Sequence, residues 1–452
     1  MPNGLTKRAI ALYLLMLWPL VLLSACTPES GKNEEIDLSP QTDEMELQAD
    51  YFHIWWDDSF GAPYETLMKP HLANAFGETR FDAFGFMRPF YNPSTKTRDL
   101  FQELLRKPSP DLIVFDSMYL SFFIESNYLA PVDHLEPYLA VEDAALEEVR
   151  TVAPDFSLYA IPYGESVYGL FYNKTLFDLM DVPYPRDGMT WDETFQLASQ
   201  VKKPMSWVAL DMDNFSLVAS QIPLRLADFD EESWLKWDQF VAQFLRQREG
   251  EAWSDGIWYF YEGKVAMVAA SLMDYTHSYL NNVSGDLRLS KVDWDVVSFP
   301  VFSAEQPVAP ARRMLLLGVP RMAENKEDAY KIIQYLLTEL VQRENMRLGL
   351  LSVRDDADAW AEEFGAAYWS DKSTSFLSRS IPTGKYDYGL DKQSIHQLAT
   401  EISFTVDDRW DWTLRWDQDS VRRKVMEYRG KRADVIGQLR EKVAEYERYR
   451  GG

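Results

Sequence analysis

The feature that most constrains this chain is the stretch Leu158 to Lys174, LYAIPYGESVYGLFYNK. Leu158 to Ile161 is a short apolar segment that ends at Pro162. Pro162 to Glu165, PYGE, carries turn chemistry, because proline presets φ and glycine permits φ > 0. Val167 to Tyr172 is β-branched, aromatic and punctuated by glycine, the composition of a buried strand. Asn173 and Lys174 then open a helix. Two apolar segments joined by a polar turn serve either as a passage between two lobes or as a hairpin within one sheet. The pattern alone allows both.

Length and charge narrow the field. At 452 residues the chain is too long for one core, so two lobes or domains are expected. A net charge of -25 is repelled by nucleic acid and by an anionic membrane surface, and favours an uncharged or cationic partner. The 5 histidines are scattered, against a metal hydrolase. No cofactor is expected. The single cysteine, Cys26, forbids a disulfide within the monomer.

Residues 1–25 read as a targeting segment: Lys7 and Arg8, then an apolar run from Ala9 to Leu23 too short for a comfortable membrane span. Leu23-Ser24-Ala25-Cys26 resembles a bacterial lipobox, in which the cysteine thiol takes a diacylglycerol and becomes the new N-terminus. The alternative is an ordinary secretory signal with Cys26 incidental. Residues 26–50 are polar and acidic and read as a flexible tether, with the globular part starting near Tyr51.

From there strands and helices alternate, the pattern of an α/β fold. Tyr51 to Trp56 reads as a first strand, with Pro63 in the first turn of a following helix. Leu67, Leu72 and Phe76 recur at helical spacing, with a kink expected at Pro70. Phe81 to Phe90 is a second strand and Thr97 to Leu105 a helix. Asp111 to Asp116, DLIVFD, is a strand buried on both faces, and Tyr119 to Ile124 a helix. Thr190-Trp191-Asp192-Glu193 is a capping box. Ser233 to Leu245 is amphipathic, and Tyr259 to Ala270 reads as a helix end, a glycine turn and a strand. Trp294 to Phe299 and Met314 to Val319 are further strands. Asn325 is placed to cap a helix with a stripe of Ala329, Ile332, Ile333, Leu336 and Leu340. The C-terminal part is helical, with Ile436, Leu439 and Val443 as its buried stripe.

Taken in order, several motifs resemble the extracellular solute-binding lipoproteins of sugar-type ABC transporters, family 1, which are maltose-binding-protein-like. They are the Leu23 to Cys26 lipobox, PDLIVFDS from Pro110, LYAIPYGESVYGLFYNK from Leu158, TWDETF from Thr190, YEGKVAM from Tyr261 and WDVVSFPVF from Trp294. GVPRMAENKEDAYKIIQYL from Gly318 and RGKRADVIGQLREKV from Arg429 complete the series. The resemblance implies a two-lobed Venus-flytrap of periplasmic-binding-protein type II, with three crossings between α/β lobes. The first is placed at Ser166 to Val167, the second near Phe299 and the third between about Phe364 and Ile381. The N-lobe is then 51–165 and 300–364, and the C-lobe 166–299 and 365–452. It further implies a monomer, lipid-anchored outside the cytoplasm, that binds a small polar solute, a sugar or oligosaccharide, and delivers it to ABC permease subunits.

Sugars offer flat C–H faces to aromatic rings and hydroxyls to carboxylates and amides. Candidates are therefore sought at the carboxyl ends of strands. Trp55, Trp56 and Asp57 end the first strand, and one of the two rings should face the core because neighbours alternate. Asp116, Ser117 and Tyr119 follow DLIVF, although Asp116 also fits a helix cap. Glu165, Ser166 and Tyr168 sit at the hinge and face the cleft by resemblance; alternatively Glu165 is a solvated turn residue. Asp211, with Asp213 and Asn214, ends a strand of the second lobe or forms an Asx-rich loop. Trp258 precedes the Gly263 turn, while Trp410, Trp412 and Trp416 read as packing residues. Ser271-Leu272-Met273 stands where many relatives carry a tryptophan, and Arg312-Arg313 where they carry small residues. Arg313 either favours an anionic sugar in the cleft or pairs with surface carboxylates. Two other functions are weighed: a ligand sensor for a membrane histidine kinase, and a glycoside hydrolase using Glu165 with Asp57 or Asp116.

Overall fold

A computed structural model describes residues 46–57, 64–86, 107–201, 208–212, 215–222, 262–271, 292–311, 313–357 and 360, with scattered positions at 232–260 and 423–448. Cys26, Pro63, Thr97 to Leu105, Asp213, Asn214, Trp258, Ile436, Leu439 and Trp410, Trp412 and Trp416 lie outside them.

The chain begins with strand β1 (Tyr51–Trp56). Helices Tyr64–Leu67 and Lys69–Ala75 follow. Pro70 starts the second of these rather than kinking a single helix, because a proline in the first turn forfeits no helical bond. Next come β2 (Arg80–Gly85), β3 (Leu112–Asp116), helix α1 (Leu120–Glu125) and α2 (Asp143–Arg150). Then β4 (Ile161–Ser166) leads directly to β5 (Tyr168–Asn173). Helices α3 (Lys174–Met180) and α4 (Trp191–Gln200), strand β6 (Val208–Met212) and helix α5 (Phe215–Ser220) follow. The described chain continues with β7 (Val265–Ser271), β8 (Trp294–Ser298), β9 (Arg313–Gly318), α6 (Lys326–Leu336) and α7 (Glu339–Arg347).

These strands form two sheets, ordered β2-β1-β3-β9-β4 and β6-β7-β5-β8. In the first, β1 runs parallel to β2 and β3, and β9 lies antiparallel between β3 and β4. In the second, β6 and β7 are parallel and β5 runs antiparallel to β7 and β8. The apolar run of β3 is buried throughout, which fits its place inside a sheet covered on both faces. From α6, Ala329, Ile332, Ile333 and Leu336 enter that core with no exposed surface. Each of the three larger side chains contributes at most about 1.5–3 kcal/mol by burial. Leu340 falls outside this stripe: α6 stops at Leu336 and Leu340 belongs to α7, half-buried. Val443 is buried in the first core.

The capping box forms: Thr190 Oγ1 accepts from the Glu193 N–H at 3.2 Å, and Glu193 Oε2 accepts from the Thr190 N–H at 2.8 Å. Asn173 likewise caps α3 by accepting the Leu176 N–H. Asn325 does not cap α6 with its side chain. Asp111 instead ties down the segment just before the helix, taking the N–H groups of Glu324 and Asn325 on Oδ1 and of His53 on Oδ2. The folded part also begins before Tyr51. Asp328 Oδ2 accepts the N–H groups of Gln48 and Ala49 at 2.8 Å, and Leu47 packs on the first core.

The PYGE segment is not a turn. Pro162 to Glu165 lie inside β4, paired with β9 through a bulge between Pro162 and Gly164. Proline, lacking an N–H, is tolerated at a bulge in an outer strand. Gly164 has no positive φ. It is required because a Cβ there would stand 2.4 Å from Leu350 Cγ. After Ser166 the chain leaves the first sheet, and at Tyr168 it enters the second, so the stretch is a passage and not a hairpin. The return comes at Arg313, later than the expected position near Phe299. Residues 300–311 stay with the second core, where Phe302 packs and Val301 exchanges backbone bonds with Met189 and Trp191.

Candidate functional site

Strand directions bring one edge of each sheet to the passage. In the first sheet β1, β3 and β4 end there and β9 begins, which collects Asp57, Asp116, Ser166 and Arg313. In the second, β6, β7 and β8 end where β5 begins, which collects Asp211, Ser271, Ser298 and Tyr168. A single residue, Val167, joins the two edges. The carboxyl ends of strands are the usual ligand edge of open α/β sheets.

The first-sheet edge is tied together by buried polar groups. The Asp57 N–H extends β1 by donating to the Val114 carbonyl at 2.8 Å, and Asp57 Oδ2 accepts the Asp116 N–H at 3.0 Å. Asp116 accepts from Arg313 Nε in an ion pair. Asp116 is fully buried and Arg313 only 6% exposed. Arg313 thus reaches a buried carboxylate of its own sheet. A 3₁₀ turn, Ser117–Tyr119, separates Asp116 from α1, so the N-cap position of that helix falls to Tyr119. Ser117 Oγ accepts the Met314 N–H at 3.2 Å, a second tie from the end of β3 to the start of β9.

Register assigns these residues to faces. Ser166 pairs with Arg313, and Asp116 with Leu315, two positions along β9. Side chains alternate, so Asp116, Arg313 and Ser166 share one face, and Val114 and Trp56 lie on it too. Glu165 pairs with Met314 and lies on the opposite face. Glu165 is a buried strand residue and not a solvated turn: its N–H and carbonyl both bond Leu351 at 2.9 Å. Ser166 Oγ is buried without a hydrogen-bond partner among the described residues.

The aromatic candidates sit in cores. Both Trp55 and Trp56 are buried, where one was expected to be available to a ligand. Trp55 stacks on Tyr128 with centroids 6.3 Å apart and meets Phe84 and Phe86; Trp56 meets Tyr64 edge-on. A sheet covered on both faces leaves neither of two alternating neighbours exposed. Tyr119 is buried in the same core. Tyr168 packs edge-on against Phe299 in the second core. Asp211 lies within β6, not in a loop, fully buried, and its Oδ1 accepts the Met212 N–H.

Sequence reasoning passed over Ser220 and Gln221. Gln221 accepts from Trp191 Nε1 at 3.0 Å and donates to the carbonyls of Pro300 and Val308, both at 2.8 Å. Ser220 Oγ accepts the Ala311 N–H at 2.8 Å. Together they hold residues 300–311 to the second core up to the start of β9. Only the general rule that a buried amide needs partners pointed to Gln221.

Two α/β sheets joined by short passages, with their strand ends facing that junction, are the architecture of two-domain periplasmic solute-binding proteins of type II. The chain belongs to the bacterial extracellular solute-binding protein family, whose model matches residues 93–373. Membership implies a location outside the cytoplasm. Three solved structures share the fold. UgpB from Mycobacterium tuberculosis in complex with glycerophosphocholine has a TM-score of 0.62 at 15% identity, covering 85% of this chain and 98% of that one. The ABC substrate-binding protein Lmo0181 from Listeria monocytogenes in complex with cycloalternan has 0.58 at 13%, covering 87% and 98%. An ABC transporter solute-binding protein from Thermotoga lettingae bound with α-D-tagatose has 0.57 at 16%, covering 85% and 99%. No curated protein matches the sequence.

Proposed function

We propose that this chain is the solute receptor of an ABC importer, anchored by a lipid on Cys26, and that it binds a sugar or oligosaccharide where the two sheet edges face each other. The observation that carries this reading is the convergence of both sheets' strand ends on Val167. Asp57, Asp116, Ser117, Ser166 and Arg313 form the first-sheet side of the site, with Glu165 one residue from the crossing. Tyr168 and Asp211 belong to the second-sheet side, and Trp258 is retained as a stacking candidate. Trp55, Trp56 and Tyr119 are reassigned to packing that fixes the edge. The first lobe runs from Glu46 to Ser166 and resumes at Arg313; the second runs from Tyr168 to Ala311. The three structures of like fold hold glycerophosphocholine, cycloalternan and α-D-tagatose, and the last two support a carbohydrate solute.

The arrangement supports binding without hydrolysis. Asp116 and Glu165 lie on opposite faces, and Asp57 and Glu165 are separated by β3 and β9. Three strand spacings amount to about 14 Å, beyond the roughly 5–9.5 Å between the paired carboxylates of glycosidases. A thermal-shift screen against carbohydrates, followed by calorimetric titration, tests the reading. A solute at 100 times its Kd stabilises the protein by about 2.7 kcal/mol. If no sugar or polyol moves the melting temperature, the carbohydrate reading fails.

A further inference from the structure

We infer that Ser166 makes one particular hydroxyl of the solute obligatory: its own hydroxyl, buried at the crossing, is completed by the sugar. This rests on the carbohydrate reading above and names the protein group that selects among sugars. Ser166 closes β4, and Val167, half-buried, is the whole of the link to the second sheet. Ser166 therefore stands where both strand-end edges meet, on the face it shares with Asp116 and Arg313. The residue is 6% exposed, and its Oγ has no hydrogen-bond partner among the described residues.

Other buried serines of the chain are committed. Ser117 accepts the Met314 N–H, Ser126 donates to the Phe123 carbonyl, Ser220 accepts the Ala311 N–H and Ser352 donates to Gln342. Ser121 shares the lack of a partner, but it lies on α1, where a turn about χ1 brings a serine hydroxyl to the carbonyl one helical turn back. A strand offers no such carbonyl. Those of β4 point sideways into the pairing with β9, and on the other side the Glu165 carbonyl accepts the Leu351 N–H at 2.9 Å. A buried hydroxyl without a partner costs stability, and its persistence at a strand end calls for a functional reason. A sugar hydroxyl both donates and accepts, so it completes the serine in either sense. A sugar lacking that hydroxyl seals Ser166 Oγ in with nothing to bond, and sites built to bond a hydroxyl discriminate strongly against its absence.

The test sets the sugar's hydroxyls against the serine. Wild type and Ser166→Ala, both as mature protein, are titrated calorimetrically with glucose, galactose, maltose and cellobiose and with the monodeoxy derivatives of each. The expected result is that one deoxy position of a binding sugar weakens Kd at least about fivefold for the wild type and less than about twofold for Ser166→Ala. Deoxy penalties that persist unchanged in Ser166→Ala, or a wild type indifferent to every deoxy position, overturn the inference and leave the carbohydrate reading standing. Silence from all four sugars removes the carbohydrate reading and the inference with it. A second readout needs no sugar. Ser166→Ala deletes an unpartnered hydroxyl, so the empty variant should melt at the wild-type temperature or above it. A lower melting temperature, or a variant that does not fold, gives the hydroxyl a structural role and overturns the inference.

Discussion

Gly164→Ala isolates the reason for glycine in the passage strand. A Cβ built on Gly164 meets Leu350 Cγ at 2.4 Å, Cδ2 at 2.6 Å and Cδ1 at 3.0 Å. Carbon atoms pack best at about 3.5–4.0 Å, so the leucine must retreat by about 1 Å. Leu350 has no exposed surface into which to retreat. The expected loss is therefore near the top of the overpacking range, about 3 kcal/mol. Urea denaturation of a double-mutant cycle separates this cause from a backbone one. Leu350→Ala alone leaves a cavity and costs about 2–5 kcal/mol. In the Gly164→Ala background the same truncation also relieves the overlap, so it costs about 1–3 kcal/mol less than in the wild type. Costs that add to within about 0.5 kcal/mol, or a Gly164→Ala protein as stable as wild type, refute the packing argument.

Four shorter predictions accompany it. Asp116→Leu or Arg313→Met alone strands a buried charge and lowers stability by about 3–5 kcal/mol, whereas the double substitution recovers most of that loss in chemical denaturation. Glu193 is held below its usual carboxylate range chiefly by the Thr190 N–H and further by Arg186. Its folded pKa lies under the unfolded 4.5, so its stabilisation is complete above that value and is lost as pH falls through the folded one; the melting difference between wild type and Glu193→Gln should accordingly be larger at pH 7 than at pH 3. Gln221→Leu leaves the Pro300 and Val308 carbonyls and the Trp191 N–H without that partner, at about 1–3 kcal/mol per buried group, and hydrogen exchange should accelerate across residues 300–311. Cys26→Ser should give a folded protein absent from the membrane fraction; retention there after signal removal rejects the anchor.

What was legible in the sequence was local. The DLIVF strand, the Thr190 capping box, the helix opening at Asn173 and Lys174 and the Gly263 turn each depend on residues within a few positions of one another, and all appear in the structure. Errors arose where the deciding partner is distant. PYGE has the composition of a turn, and nothing in it shows that Leu350 occupies the space over Gly164. Asn325 looks like a cap, but its side chain makes no cap bond, and Asp111, far earlier in the chain, holds the backbone N–H of Asn325 itself. Arg313 looked available until Asp116 was found beside it, and both are buried in a pair that sequence separation conceals. The strand-end rule located the edge correctly in the first sheet, but it overvalued Trp55 and Trp56. Period-two alternation says that neighbours point apart and does not say whether both sides are covered.

The staple made by Ser220 and Gln221 bears on how the two halves can move. Because Ala311 is still fastened to α5, a single residue separates it from Arg313 in the first sheet, just as Val167 alone separates Ser166 from Tyr168. Each residue offers only two soft torsions. Ser166 and Arg313 are register partners, so among the described residues the two strand ends that lead into these links lie side by side like a pair of pins. Two adjacent pins permit a swing about the line through them and resist sliding or pulling apart. Lengthening either link by a flexible residue or two should leave both sheets folded and replace that single swing with a looser, many-directional motion.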